Sequence, residues 1–331
     1  MKVNREVIGK MVHNVLSYEF DKDGRLCFQR FSPSQKKVYR AESESFFMKT
    51  NASSSVTLDF VSDSEYLVLK FELYESEHVA EGADFDLYVD GIFYESRYLE
   101  SLDINIIGFD LPKGEHRVTL YFPWNKETVV NEIHLSEHSS VKEVQKKARV
   151  LSLGDSITQG SFTRLTSLSY VSQLANHLDL EILNQGIGGY VFWEKSIDES
   201  IVSYAPDLIT IAYGTNDYTR YDHVEDYQKN VSNYMEKLTT LFPNTKILAI
   251  MPIYRNDFKH QAREKYRDYK LEDARKILRT IYQKYPNVQV MEETEIPRIP
   301  EAYARDFLHP NDLGFTFMTW SIEKQINNLL L

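Results

Sequence analysis

Ser156 stands in Gly154-Asp155-Ser156-Ile157-Thr158-Gln159-Gly160, after the apolar run Val150-Leu151-Ser152-Leu153 and before a stretch that reads as helical. A buried strand fixes the height of a serine at its end, and a following helix offers N–H groups to an oxyanion. Alone, such a serine also reads as an N-cap. Three further segments could complete a chemistry: Asn184-Gln185-Gly186-Ile187-Gly188-Gly189, Gly214-Thr215-Asn216-Asp217 and Asp306-Phe307-Leu308-His309-Pro310-Asn311. An alcohol nucleophile needs a base, which His309 can supply. That imidazole needs an orienting carboxylate, and Asp306 stands three residues earlier on the same short loop. A tetrahedral intermediate needs convergent donors, and the Ser156 and Gly189 N–H groups with the Asn216 side chain can provide three.

The elements that must place these residues are legible as two patterns. Residues 1–147 show period-two alternation, as at Val56, Leu58 and Phe60, at Leu67, Leu69, Phe71 and Leu73, and at Val118, Leu120 and Phe122. Asp90-Gly91 and Pro112-Lys113-Gly114 separate such runs, and no long amphipathic helix is evident. This predicts an all-β sandwich of jelly-roll type. Ser136–Lys147 is polar and reads as a linker or exposed crossover. From Ala148 to Leu331, apolar strands at 149–153, 180–183, 208–212, 247–250 and 288–291 alternate with helical stretches at 169–178, 196–204, 224–242, 271–285 and 313–330. That order predicts a five-stranded parallel sheet with helices on both faces, its ligand edge at the carboxyl ends of the strands. The four segments fall at that edge.

Those four segments, in order, resemble the blocks of the SGNH (GDSL-type) hydrolases, serine esterases and acylhydrolases of flavodoxin-like fold. The resemblance covers residues 148–331 and implies a catalytic Ser156, His309 and Asp306, with an oxyanion hole of Ser156, Gly189 and Asn216. The segment Gly82-Ala83-Asp84-Phe85-Asp86-Leu87-Tyr88 resembles the G-x-D-L-Y signature of a β-sandwich domain found ahead of some bacterial SGNH esterases, with an extra residue pair after Gly82. The implied reaction is two-step acyl transfer from a short, acetyl-type ester on a small molecule or oligosaccharide, with no metal or cofactor. Acyl transfer to an acceptor other than water would use the same residues. A carbohydrate-binding protein with an inactive hydrolase domain is a third reading.

Other residues carry two readings each. Asp155 suits turn hydrogen bonding or a substrate contact, and Asp217 is expected to hold its own loop. Gly186 and Gly188 permit the turn, or one of them replaces Gly189 as donor. Tyr190, Trp193, Tyr218, Tyr254 and Arg255 are candidates for the pocket wall, against ordinary packing. The segment Pro252–Phe258 follows the fourth strand, where loops shape pockets. His134 and His138 flank Glu137 without a third ligand and read as solvated, not as a zinc site.

Composition bounds the partners. The 331 residues carry 38 Lys and Arg against 49 Asp and Glu, a net charge of −11, with no basic block. Nucleic acid and anionic membranes are therefore poor partners. Cys27 is the one cysteine, so no internal disulfide or cysteine zinc site can form. The start, Met1-Lys2-Val3-Asn4-Arg5-Glu6, has no apolar leader, and a cytoplasmic location is expected. The oligomeric state is left open, a homo-oligomer included.

Overall fold

The computed structural model describes residues 1–76, 82–255, 257 and 269–330. In the N-terminal half two antiparallel sheets face each other. One runs Val12–His13, Thr57–Ser62, His116–Tyr121, Ala83–Val89, Ile92–Leu99, with Val141–Glu143 also pairing Thr57–Ser62. The other runs Ser17–Phe20, Leu26–Gln29, Lys126–Leu135, Tyr66–Glu75, Ile106–Asp110. Alternation turns Leu58, Phe60, Leu67, Leu69, Phe71, Phe85, Leu87, Val118 and Leu120 inward, where they make one buried cluster. Val141–Glu143 makes the predicted crossover an ordered edge strand, and Lys146 ion-pairs with the buried Asp59.

The C-terminal half is a five-stranded parallel sheet in the order Glu181–Gly186, Arg149–Gly154, Leu208–Ala212, Lys246–Ile250, Val288–Met291. In chain order this is 2-1-3-4-5, the doubly wound arrangement of flavodoxin type. Successive side chains leave opposite faces. Leu151, Leu153, Leu183, Ile209, Ile211 and Ile247 pack with Tyr227, Val231, Met235 and Leu278 of the helices Val224–Leu241 and Leu271–Tyr282. Val150, Ile182, Leu208 and Leu248 pack with Tyr170, Leu174, Phe315, Met318 and Ile322 of Tyr170–Leu178 and Asp312–Leu330.

Two features depart from the sequence reading. The N-terminal half does contain helices, Pro33–Glu42 and Glu44–Thr50. Ser32 and Gln35 form a capping box with Pro33 at the first turn, which starts the first of them. Neither helix belongs to the sandwich core: Phe31 and Tyr39 are buried in the α/β core, with Phe46 against it. The stretch 196–204 is not an α-helix but two 3-10 turns, Glu194–Ser196 and Glu199–Tyr204, the second capped by Asp198.

Candidate active site

Strands one and three of the parallel sheet are adjacent, and their carboxyl ends carry Ser156 and Asn216. Gly154 ends the first strand, and Ser156–Gln159 follows as a single helical turn with Asp155 as its cap, Oδ1 accepting from the Ile157 N–H at 3.0 Å. That turn sits hard on the second strand. A Cβ at Gly186 would lie 2.2 Å from the Gln159 nitrogen, so only glycine admits this approach.

Ser156 Oγ lies 2.7 Å from His309 Nε2, and His309 Nδ1 lies 2.6 Å from Asp306 Oδ2. A carboxylate can only accept, so Nδ1 carries the proton and Nε2 is left to accept from the serine hydroxyl. Asp306 Oδ1 also accepts from the Leu308 and His309 N–H groups, each at 3.1 Å. Burial pushes the Asp306 carboxyl up, but the His309 hydrogen bond and charge, with these two amides, outweigh it and hold the group at about 2. Such a chain can pass a proton from the serine to the imidazole and back.

The second strand ends at Gly186 and turns into the loop carrying Gly189, which is exposed and has φ +80°, a conformation glycine adopts without strain. Gly188 N–H donates to Gln159 Oε1 at 2.7 Å, and Asn216 Nδ2 donates to the Tyr190 carbonyl at 3.0 Å. Asn216 therefore lies against the Gly189 loop with its second N–H uncommitted by that bond. Asp217 also braces this loop: Oδ1 accepts from the Phe192 N–H at 2.9 Å. Its Oδ2 is buried with no partner among the described residues, and burial pushes the carboxyl up to about 7.

Several expected wall residues are turned away from solvent. Tyr190 and Tyr218 are fully buried, Tyr190 against the rings of Tyr39, Phe46 and Trp193, Tyr218 edge-on to Tyr269. Arg255 is buried because its guanidinium grips Asp257 through Nε and Nη2, at 2.6 and 2.8 Å, and Thr215 through Nη1. Asp155 is also buried, which raises its carboxyl to about 6. Trp193 is half-buried. Tyr254 alone of the group is exposed, with the Arg298 guanidinium 4.7 Å over its ring. Asn256 and Phe258 lie outside the described residues. Among the described residues no cluster could hold a metal, and none of the described helices is long and apolar enough to cross a membrane.

Sequence reasoning missed Phe162. Its exposed ring stacks on His309, centroids 4.5 Å apart and planes 26° apart. Phe162 holds φ +72° and Phe307 φ +53°, so two strained aromatic residues border the histidine. A cavity of about 90 Å³ opens between Tyr254, Arg298, Ile299, Pro300, Tyr303 and Phe307. No local pattern marks Phe162; only its place two residues after the Ser156 turn could have drawn notice.

The family described as GDSL-like Lipase/Acylhydrolase matches residues 152–316. No curated protein matches the chain. Solved structures do. A salicylyl-acyltransferase, SsfX3, from a tetracycline biosynthetic pathway shares 20% identity over 96% of this chain and 94% of its own, with TM-score 0.81. A GDSL-like protein of Bacteroides ovatus shares 17% over 100% and 98%, TM-score 0.75. A family two carbohydrate esterase of Clostridium thermocellum, solved with cellohexaose, shares 13% over 96% and 99%, TM-score 0.68. At these identities the likeness is one of fold, and it spans both halves of the chain.

Proposed function

Because the C-terminal domain of this chain belongs to the GDSL-like lipase/acylhydrolase family, we propose that the protein is a serine esterase that removes short acyl groups, acetyl above all, from carbohydrate esters. The observation that carries this reading is the hydrogen-bonded chain Ser156–His309–Asp306. In the first step His309 Nε2 takes the Ser156 proton as Oγ attacks the ester carbonyl carbon. The oxyanion is held by the Ser156 and Gly189 N–H groups and the free N–H of Asn216. Collapse breaks the ester bond, and His309 returns the proton to the leaving alcohol. Water, deprotonated by His309, then attacks the acyl-enzyme; collapse breaks the acyl–Oγ bond, releases the acid, and His309 returns the proton to Ser156 Oγ.

The substrate class rests on the rim. A small cavity of about 90 Å³ lies beside Phe307, two residues before His309. Phe162, Tyr254 and Phe307 are exposed; His309 covers one face of Phe162 and the Arg298 guanidinium one face of Tyr254, and the remaining ring surface can meet a sugar. The acyltransferase among the structural relatives favours a second reading, in which an alcohol takes the place of water in the second step.

Ser156→Ala should abolish hydrolysis of p-nitrophenyl acetate in a protein that keeps its fold. A series of p-nitrophenyl esters should fall in kcat/KM beyond short chains, beside turnover of acetylated xylo-oligosaccharides. Preference for long chains would refute the short-acyl reading. Acetylated acceptor formed in preference to acetate, when a sugar is added, would turn the assignment to transfer.

A further inference from the structure

The helices Pro33–Glu42 and Glu44–Thr50 play no part in the chemistry above, yet they press on the loop that carries Gly189. Lys49, in the last turn of the second helix, donates from Nζ to the Gly188 carbonyl at 2.9 Å. Arg30 fixes the lysine's own backbone: Nη2 donates to the Lys49 carbonyl at 2.9 Å, while Nη1 reaches the Asn184 carbonyl on the second parallel strand at 2.6 Å. Phe46 packs beside the lysine, its ring centre 5.7 Å from Nζ, and lies 3.7 Å from where a Gly189 Cβ would stand.

The peptide joining Gly188 to Gly189 is trans, so its C=O and N–H point in opposite directions. A cation gripping that oxygen therefore fixes the direction of the Gly189 N–H. It also draws electron density toward oxygen, which makes the N–H a stronger donor. The neighbouring groups are already engaged: Gly188 N–H by Gln159, Tyr190 N–H by Ile187, and the Tyr190 carbonyl by Asn216. Among the described residues nothing engages the Gly189 N–H itself.

We infer that Lys49 is a positioning residue for the oxyanion hole, a cation from the N-terminal half that aims and strengthens the Gly189 N–H through the Gly188 carbonyl. This rests on the esterase reading, since it gives that N–H an oxyanion to meet. The effect belongs to the transition state and not to ground-state binding, because the negative charge develops only as Ser156 attacks.

The test compares wild type with Lys49→Met, Lys49→Gln and Lys49→Arg. Removing an oxyanion donor outright costs ~100-fold or more in kcat, so removing its polarising cation should cost about tenfold. Lys49→Met should show that loss with KM within about twofold, and an equal loss of affinity for a trifluoromethyl ketone, whose Ser156 adduct carries the oxyanion. Lys49→Gln should fall between, and Lys49→Arg should restore most of the rate. Should Lys49→Met fail to fold, Lys49→Gln decides alone. In the resting enzyme the Gly189 amide nitrogen should shift upfield in NMR spectra of Lys49→Met, a readout that needs no substrate. An unmoved amide with unchanged kcat, or equal losses in Lys49→Met and Lys49→Arg, overturns the inference. Absence of esterase activity in wild type, with the amide shift present, would instead fault the functional reading.

Discussion

His309 can serve as a base only while its Nδ1 proton is held, and Asp306 holds it at 2.6 Å. Asp306→Asn keeps the shape but offers the imidazolium no charge. Its kcat on p-nitrophenyl acetate should fall by about 10²–10⁴ with little change in KM. Equal rates for the variant would show that the serine and histidine act alone. Phe162 raises a different expectation. Its φ of +72° is strain that a glycine would relieve, while its ring braces His309. Phe162→Gly should therefore raise thermal stability, by about 1 kcal/mol, and yet lower kcat. A variant with lower stability and unchanged kcat contradicts that balance. At this scale the sequence was readable for Ser156, Asp306 and His309, whose types and order announce a chemistry. It was not readable for Tyr190, Tyr218 and Arg255. A tyrosine on a loop at the sheet edge looks the same whether it faces solvent or the core, and Arg255 turns inward because Asp257 lies two residues on.

The elements were readable where periodicity is strong. The five parallel strands and the helices Tyr170–Leu178, Val224–Leu241 and Asp312–Leu330 follow from apolar runs and amphipathic spacing. The helix Pro33–Glu42 escaped because its polar sequence lacks a clean apolar stripe, although Ser32-Pro33-Ser34-Gln35 is a start signal in itself, and Glu44–Thr50, with Phe46-Phe47-Met48, is too short to show a helical period. Close packing of elements also leaves a mark that only geometry explains. The turn bearing Ser156 touches the second strand at Gly186. Gly186→Ala would force the Ser156 turn off that strand, with a stability loss of about 1–3 kcal/mol and a larger fall in kcat. A fully active, equally stable Gly186→Ala variant would contradict the packing. The strand Ala83–Val89 makes a second such contact. Asp86 Oδ2 accepts from the Ser167 N–H at 2.8 Å, and Tyr88 donates to Ser167 Oγ at 3.2 Å. The G-x-D-L-Y-like segment thus meets the loop that carries Phe162.

The two halves differ in topology and keep separate cores, but the N-terminal half also sends residues into the α/β core. Phe31 and Tyr39 are buried with Leu183, Ile187 and Tyr190, and Asn14 meets the second parallel strand through the Ile182 N–H at 2.8 Å. We therefore expect one cooperative unfolding transition by calorimetry, and an isolated 148–331 fragment that does not fold on its own. Two separated transitions would contradict this. Stability should also depend on pH in a defined way. Burial raises Asp84 to about 7, Asp155 to about 6 and Asp217 to about 7. Between the ordinary carboxylate value of about 4 and these values the folded chain binds more protons than the unfolded one, so stability falls as pH rises through that window. Asp59, held at about 2 by Arg117 and Lys146 against the cost of burial, and Asp306 act the other way, and their contribution is lost only as pH falls toward 2. The melting temperature should rise from pH 7.5 to pH 5, and Asp217→Asn should flatten that rise. A falling melting temperature over that range, unaltered in the variant, would count against it.

The central claim is that Ser156 is the nucleophile. A p-nitrophenyl phosphonate ester reports on it directly, since attack expels p-nitrophenolate and leaves a phosphonyl group that water removes slowly. Peptide mass spectrometry of the treated protein should place that group on Ser156, at one per chain, and His309→Ala should suppress the labelling. An adduct on another residue, or an unlabelled Ser156 in a protein that still cleaves acetyl esters, would contradict the claim.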